Sequence, residues 1–155
     1  MRTLFFAAIA ATLCFLSCQE KPAPQMTGVE DVLQYYNTIV RISPSQLDSL
    51  RKADPNIPLI DVRSEKEFRI LHIFQAINCD EDDPDFDKRI LKLNVQSPVV
   101  IYDINGSRSP QVAEKMKSLG FIRVYELAGG VYGWSRAGKT VVSGKSNMDA
   151  NTILK

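Results

Sequence analysis

The chain has 155 residues, with 19 basic and 18 acidic side chains, one histidine and three cysteines. That length suits one domain with a real core. Its near-neutral balance excludes the broad positive field on which nucleic-acid binding depends.

The first stretch, "MRTLFFAAIAATLCFLSCQEKPAP", opens on Arg2 and continues as an apolar run from Leu4 to Leu16. The run falls short of the roughly 20 residues that span a bilayer, so residues 1–17 read as a secretory signal and not as a transmembrane helix. Ser17 followed by Cys18 and a polar stretch resembles a bacterial lipoprotein signal cleaved before Cys18. Phe15-Leu16-Ser17 departs from the commonest form, in which Leu stands one place earlier, and Cys14 follows a bulky Leu13. A plain signal peptide with an incidental cysteine is the alternative. Acylation of Cys18 implies a lipid-anchored protein of the bacterial cell envelope, on a periplasmic or outer-membrane face, held there essentially permanently. Cys14 leaves with the signal and Cys18 carries lipid, so Cys79 stands alone and no intramolecular disulfide is expected. A lone thiol of this kind reads as a small buried hydrophobe.

Residues 18–28, rich in proline and without apolar periodicity, read as a tether. Val29, Val32, Leu33, Tyr36 and Ile39 share one helical face, which predicts an N-terminal helical extension over 29–39. The domain proper then runs from 40 to 138, followed by a tail over 139–155. It opens with a short strand, "VRIS", and a helix capped by Ser43 with Pro44 at its first position. "IPLIDV" reads as a strand covered on both faces, and Ser64 with Glu67 has the spacing of a capping box. "AINC" is a brief strand, "DPDFDKRILKLN" an amphipathic helix, and "PVVIYDI" the most apolar segment and so the central strand. A helix from Ser109 ends at Gly120; "IRVYEL" is the last strand and "GGVYGWSRAG" a short helix whose Trp134 is expected to pack on the sheet. Alternating strands and helices define an α/β fold with a parallel sheet flanked by helices.

In such sheets the binding crevice lies at the carboxyl ends of the strands. Charge gathers at two of them here, as Asp61 and Arg63 and as the segment Asp103, Ile104, Asn105, Gly106, Ser107, Arg108 and Ser109. The second segment feeds a helix amino terminus, whose free N–H groups favour an anion. On these residues alone, an ordinary connection with Asp103 or Asn105 as turn former is the simpler reading.

Two longer stretches change that balance. "LIDVRSEKEFRILHIFQAINC" resembles the first signature of the rhodanese family, and "VVIYDINGSRSPQVAEKMKSLGFIRVYELAGGVYGW" resembles its second half. There, a central strand enters C-x-x-G-x-R-S and L-x-G-G-x-x-x-W closes the domain. The resemblance covers residues 40–138 and implies a three-layer fold with a five-stranded parallel sheet. It also implies an active-site loop whose backbone amides surround a persulfide-carrying cysteine. Gly106, Arg108 and Ser109 fall on the family's G, R and S, while Asp103 falls on the cysteine. Around His72, the chain's single histidine, Leu71, Phe74 and Gln75 stand where the family has Gly, Pro and Gly; His72 itself reads as a packed structural side chain.

A carboxylate cannot usefully hold a sulfane sulfur, so the resemblance implies loss of the family's thiosulfate sulfurtransferase activity. The expected protein is an inactive, membrane-anchored binding or scaffolding module. Its partner is an unidentified protein or a small anion, without nucleic acid, metal or cofactor. The alternative is a sulfur- or oxyanion-handling enzyme acting through another residue such as Cys79, although no amide-rich loop follows that strand to lower its pKa. An aspartyl-phosphate role for Asp103 lacks the further carboxylates that hold Mg²⁺. A pairing of Arg108 with Asp61 is the expected geometry of the loop.

Overall fold

A computed structural model describes residues 38–145. In chain order its elements are β1 (Thr38–Ile42), α1 (Pro44–Ala53), β2 (Leu59–Asp61), α2 (Glu65–Ile70), β3 (His72–Ile73) and β4 (Ile77–Asn78). They continue with α3 (Phe86–Ile90), β5 (Val99–Tyr102), α4 (Ser109–Ser118), β6 (Arg123–Leu127), α5 (Gly130–Arg136) and β7 (Val141–Val142). Five strands form one parallel sheet in the order β1-β6-β5-β2-β4, which puts β5 at its centre. β3 and β7 pair antiparallel beside it.

The apolar run of β5 is explained by burial on both faces. Val99 and Ile101 point into one core with Cys79, Phe86, Ile90, Val112 and Met116. Val100 and Tyr102 point into the other, with Leu47, Phe68, Val131 and Trp134. This is the period-two alternation of a strand covered by helices on either side. The helices start where their caps dictate: Ser43 and Gln46 exchange side-chain and backbone hydrogen bonds ahead of α1, and Ser64 and Glu67 do so ahead of α2. Each exchange satisfies two otherwise orphaned N–H groups.

Trp134 is 4% exposed in the second core, and its indole N–H donates to the Thr140 carbonyl at 2.8 Å. Trp134→Ala is expected to cost about 3 kcal/mol, as truncation of a buried aromatic does. A lower midpoint in denaturant with an unchanged slope would register that loss, and an unaltered midpoint would contradict it.

Three boundaries differ from the sequence reading. Thr38 and Ile39, assigned above to the end of a helix, belong to β1 and pair with Arg123 and Val124; residues 29–37 lie outside the described residues. β-branched side chains from Thr38 to Val40 fit a strand better than a helix. α3 is only five residues long, because Asp83 takes the Asp85 N–H on its side chain and the chain tightens after Ile90 into shorter-range bonds. The segment from Lys139 is not merely a tail. Thr140 caps the Trp134 indole, β7 pairs with β3, and the Gly144 N–H donates to the Arg69 carbonyl at 2.8 Å.

Candidate functional site

β5 delivers the chain to Asp103 at the carboxyl end of the central strand. The Asp103 side chain is fully buried and accepts four backbone N–H groups. Its Oδ1 takes those of Asn105 at 3.0 Å and Gly106, and its Oδ2 those of Arg108 and Ser109 at 3.3 Å. The loop thus closes into a ring of amides ahead of α4, whose dipole adds to the positive potential. Ile104 and Ser107 direct no amide into the ring: the Ser107 N–H donates to Asn105 Oδ1, and Ile104 contributes its carbonyl to the support below. Gly106 makes the turn at φ +82°, and a Cβ there would lie 3.2 Å from the Gly129 nitrogen.

That support is the start of α5. The Val131 and Tyr132 N–H groups donate to the carbonyls of Asp103 and Ile104 at 2.9 and 3.1 Å. Gly130, at φ +55°, allows this approach, since a Cβ would come within 2.7 Å of the Asn105 nitrogen.

The walls of the crevice are acidic. The Arg108 guanidinium lies 2.9 Å from Glu67 and 3.7 Å from Glu81. The expected pairing with Asp61 is not formed, because Asp61 is buried and already engaged. Burial pushes the Glu81 carboxyl up; the Arg108 charge opposes this, and Asp82, Asp103 and Asp80 add to it. Glu67 is also subject to burial, but its bonds to Ser64 and the charge of Arg108 bring its carboxyl below the usual range. Behind the loop, Glu126 is 4% exposed, accepts the Ser109 hydroxyl at 3.2 Å and lies 3.9 Å from Arg41.

Asp61 and Arg63 form a separate buried fork beneath these walls, with Arg63 Nε on Oδ1 at 2.8 Å and its terminal nitrogen on Oδ2 at 2.6 Å. The same nitrogen also reaches the Leu71 carbonyl at 2.6 Å. Burial by itself would lower the guanidinium pKa, but the bonds and charge of Asp61 leave it raised. The pair braces the β2–α2 connection and leaves neither group free for a ligand. Nor does Cys79 face the crevice. It is fully buried against Phe86 and Ile90, and burial pushes its thiol up to about 11. Only on the order of one molecule in ten thousand would carry the thiolate at neutral pH. His72 is a core group: it stacks on Phe68 with ring centroids 3.8 Å apart, and its Nδ1–H donates to the Phe68 carbonyl at 2.9 Å.

Glu67, Glu81, Glu126 and Gly130 were not singled out as site residues by sequence reasoning. Glu126 sits at the carboxyl end of a strand, where a crevice residue is expected. The capping role of Glu67 hid its second contact, and nothing local to Glu81 points to Arg108. Chemically, the ring suits one anionic group, which the chain itself supplies, and Arg108 at the rim is held by two carboxylates. Among the described residues no group of three or more His, Cys, Asp and Glu side chains is placed to hold a metal ion, and no helix is long and apolar enough to cross a membrane.

A parallel five-stranded sheet between helices defines a class of α/β domain that known proteins share. A family model described as a rhodanese-like domain matches residues 43–137, and the chain belongs to that family. Thiosulfate sulfurtransferase GlpE from Tolumonas auensis is 33% identical over 95 residues, which cover 61% of this chain and 86% of that protein. A tRNA uridine(34) hydroxylase from Legionella pneumophila is 31% identical over 108 residues, covering 67% of this chain but only 42% of the hydroxylase. Among solved structures, the Alr3790 protein from Anabaena sp. superposes with a TM-score of 0.62 at 23% identity, covering 72% of this chain and 99% of that one. SseA from Escherichia coli, a 3-mercaptopyruvate sulfotransferase, does so at 0.56 and 20% identity, over 69% and 52%. The two superpositions show the shared fold.

Proposed function

We propose that this chain is a lipid-anchored, exported rhodanese-like domain that has lost sulfur transfer and serves as a binding or scaffolding module of the bacterial envelope. The observation that carries the loss of activity is the Asp103 carboxylate lying in the amide ring. By the family resemblance, Asp103 occupies the position of the nucleophilic cysteine. An aspartate there removes the thiolate that would attack thiosulfate, and it also fills the space the amides would offer to an anionic substrate. A second anion about 4 Å away is repelled by roughly 4 kcal/mol at an effective dielectric near 20. Cys79 is poorly suited to substitute, since it is buried and burial raises its thiol pKa. The anchoring half of the proposal rests on Ser17-Cys18 after the apolar run.

Intact-mass spectrometry of the native chain, extracted from membranes and incubated with thiosulfate, tests both halves. The expected product begins at an acylated Cys18 and gains no sulfur. Uptake of one sulfur atom would overturn the loss of activity, and an unmodified Cys18 the anchoring.

A further inference from the structure

Because the five strands are parallel, their amino ends share one end of the sheet, opposite the Asp103 loop. The chain enters the sheet at this end, at Thr38, after 37 preceding residues. α1 ends there as it turns toward β2, and the β3–β4 turn and the chain after α5 lie against it around a cavity of about 360 Å³. The cavity is lined by Arg51, Lys52 and Lys139, with Asp48 as its one carboxylate and Phe74 as an aromatic wall.

The two lysines share Asp48, at 3.1 and 2.9 Å. Among the described residues Arg51 has no carboxylate within ion-pair distance; it donates to Gln75 Oε1 at 2.5 Å. Gln75 holds a left-handed backbone at φ +65° and is the one non-glycine described residue with positive φ. A long side chain kept in a costly conformation to orient a cation is the kind of strain that marks a binding site. Phe74, 39% exposed, sets an apolar surface beside the positive charge. At the other end of the sheet the acids Glu67, Glu81 and Glu126 stand beside Arg108 and Arg41.

The geometry points to a docking site for anionic phospholipid at the amino end of the sheet, with headgroup phosphate among Arg51, Lys52 and Lys139 and Phe74 against the interface. This rests on the proposed anchor at Cys18, which precedes by 20 residues the strand that starts at this end and would bring that end toward the bilayer. Clustered basic residues near a membrane are drawn to anionic lipid, and the crevice with Asp103 would then face away from the surface.

The test uses the full native chain reconstituted in phosphatidylcholine vesicles with or without phosphatidylglycerol, read by flotation and by amide hydrogen exchange. The protein should float with both. Exchange at residues 51–53, 74–75 and 138–140 should slow at least roughly threefold only with phosphatidylglycerol. High salt should reverse the slowing, and so should Lys52→Glu combined with Lys139→Glu, without affecting flotation. Floating protein that exchanges equally in both vesicles overturns docking while leaving the anchor intact. Loss of flotation strikes the anchor and, with it, the docking that depends on it. Equal slowing by inorganic phosphate in phosphatidylcholine vesicles would assign the cavity to a soluble anion and overturn docking.

Discussion

Asp103→Cys is expected to take up one sulfane sulfur from thiosulfate, a reaction the native chain should not perform. Thiolate attack on the outer sulfur forms a new S–S bond and breaks the existing one, and sulfite leaves with the electron pair. The substituted thiol would stand at the centre of amides now spent on a carboxylate and at the amino end of α4, both of which favour a thiolate. Asp103→Ala separates the cradle from the nucleophile. It leaves four N–H groups without their acceptor, at a cost of about 4 kcal/mol or more given a penalty of about 1 kcal/mol or more for each unsatisfied group. Millimolar sulfate or thiosulfate should restore part of that loss, seen as a rise in Tm absent from the native chain. A folded Asp103→Cys protein that gains no sulfur, with an Asp103→Ala protein indifferent to sulfate, would mean that the ring exists only around its own aspartate.

Gly130→Ala should be nearly as damaging, without touching a charged group. The added Cβ would lie within 2.7 Å of Asn105 nitrogen and Ile104 carbon, backbone atoms that cannot swing aside. Overpacking, the left-handed φ of +55° and displacement of the bonds from Val131 and Tyr132 together suggest a loss of about 4 kcal/mol or more. Chemical denaturation measures it. Gly138→Ala is the comparison, since it shares a positive φ of +70° but no atom lies within 4 Å of its would-be Cβ. That variant should lose only about 1 kcal/mol. Equal losses in the two would mean that backbone strain alone explains Gly130.

The elements whose causes are local are legible in the residues alone. Ser43 with Gln46 and Ser64 with Glu67 start their helices within one turn of chain, and the unbroken apolar run of Val99–Tyr102 can be satisfied only by a strand covered on both faces. Motif order was enough for the family and its sheet. Cys79 does not reach the crevice, because alternation from Ile77 turns it inward into the core that holds Phe86 and Ile90. Who partners whom at the site emerges only in the assembled fold. Asp61 takes Arg63 and leaves Arg108 to Glu67 and Glu81, and α5 holds the Asp103 loop through Gly130. The physical reason is reach: a capping bond joins residues three apart, whereas the pair Arg108–Glu67 joins residues 41 apart. Such partners share no local pattern and meet only once the parallel sheet has brought the ends of its strands together.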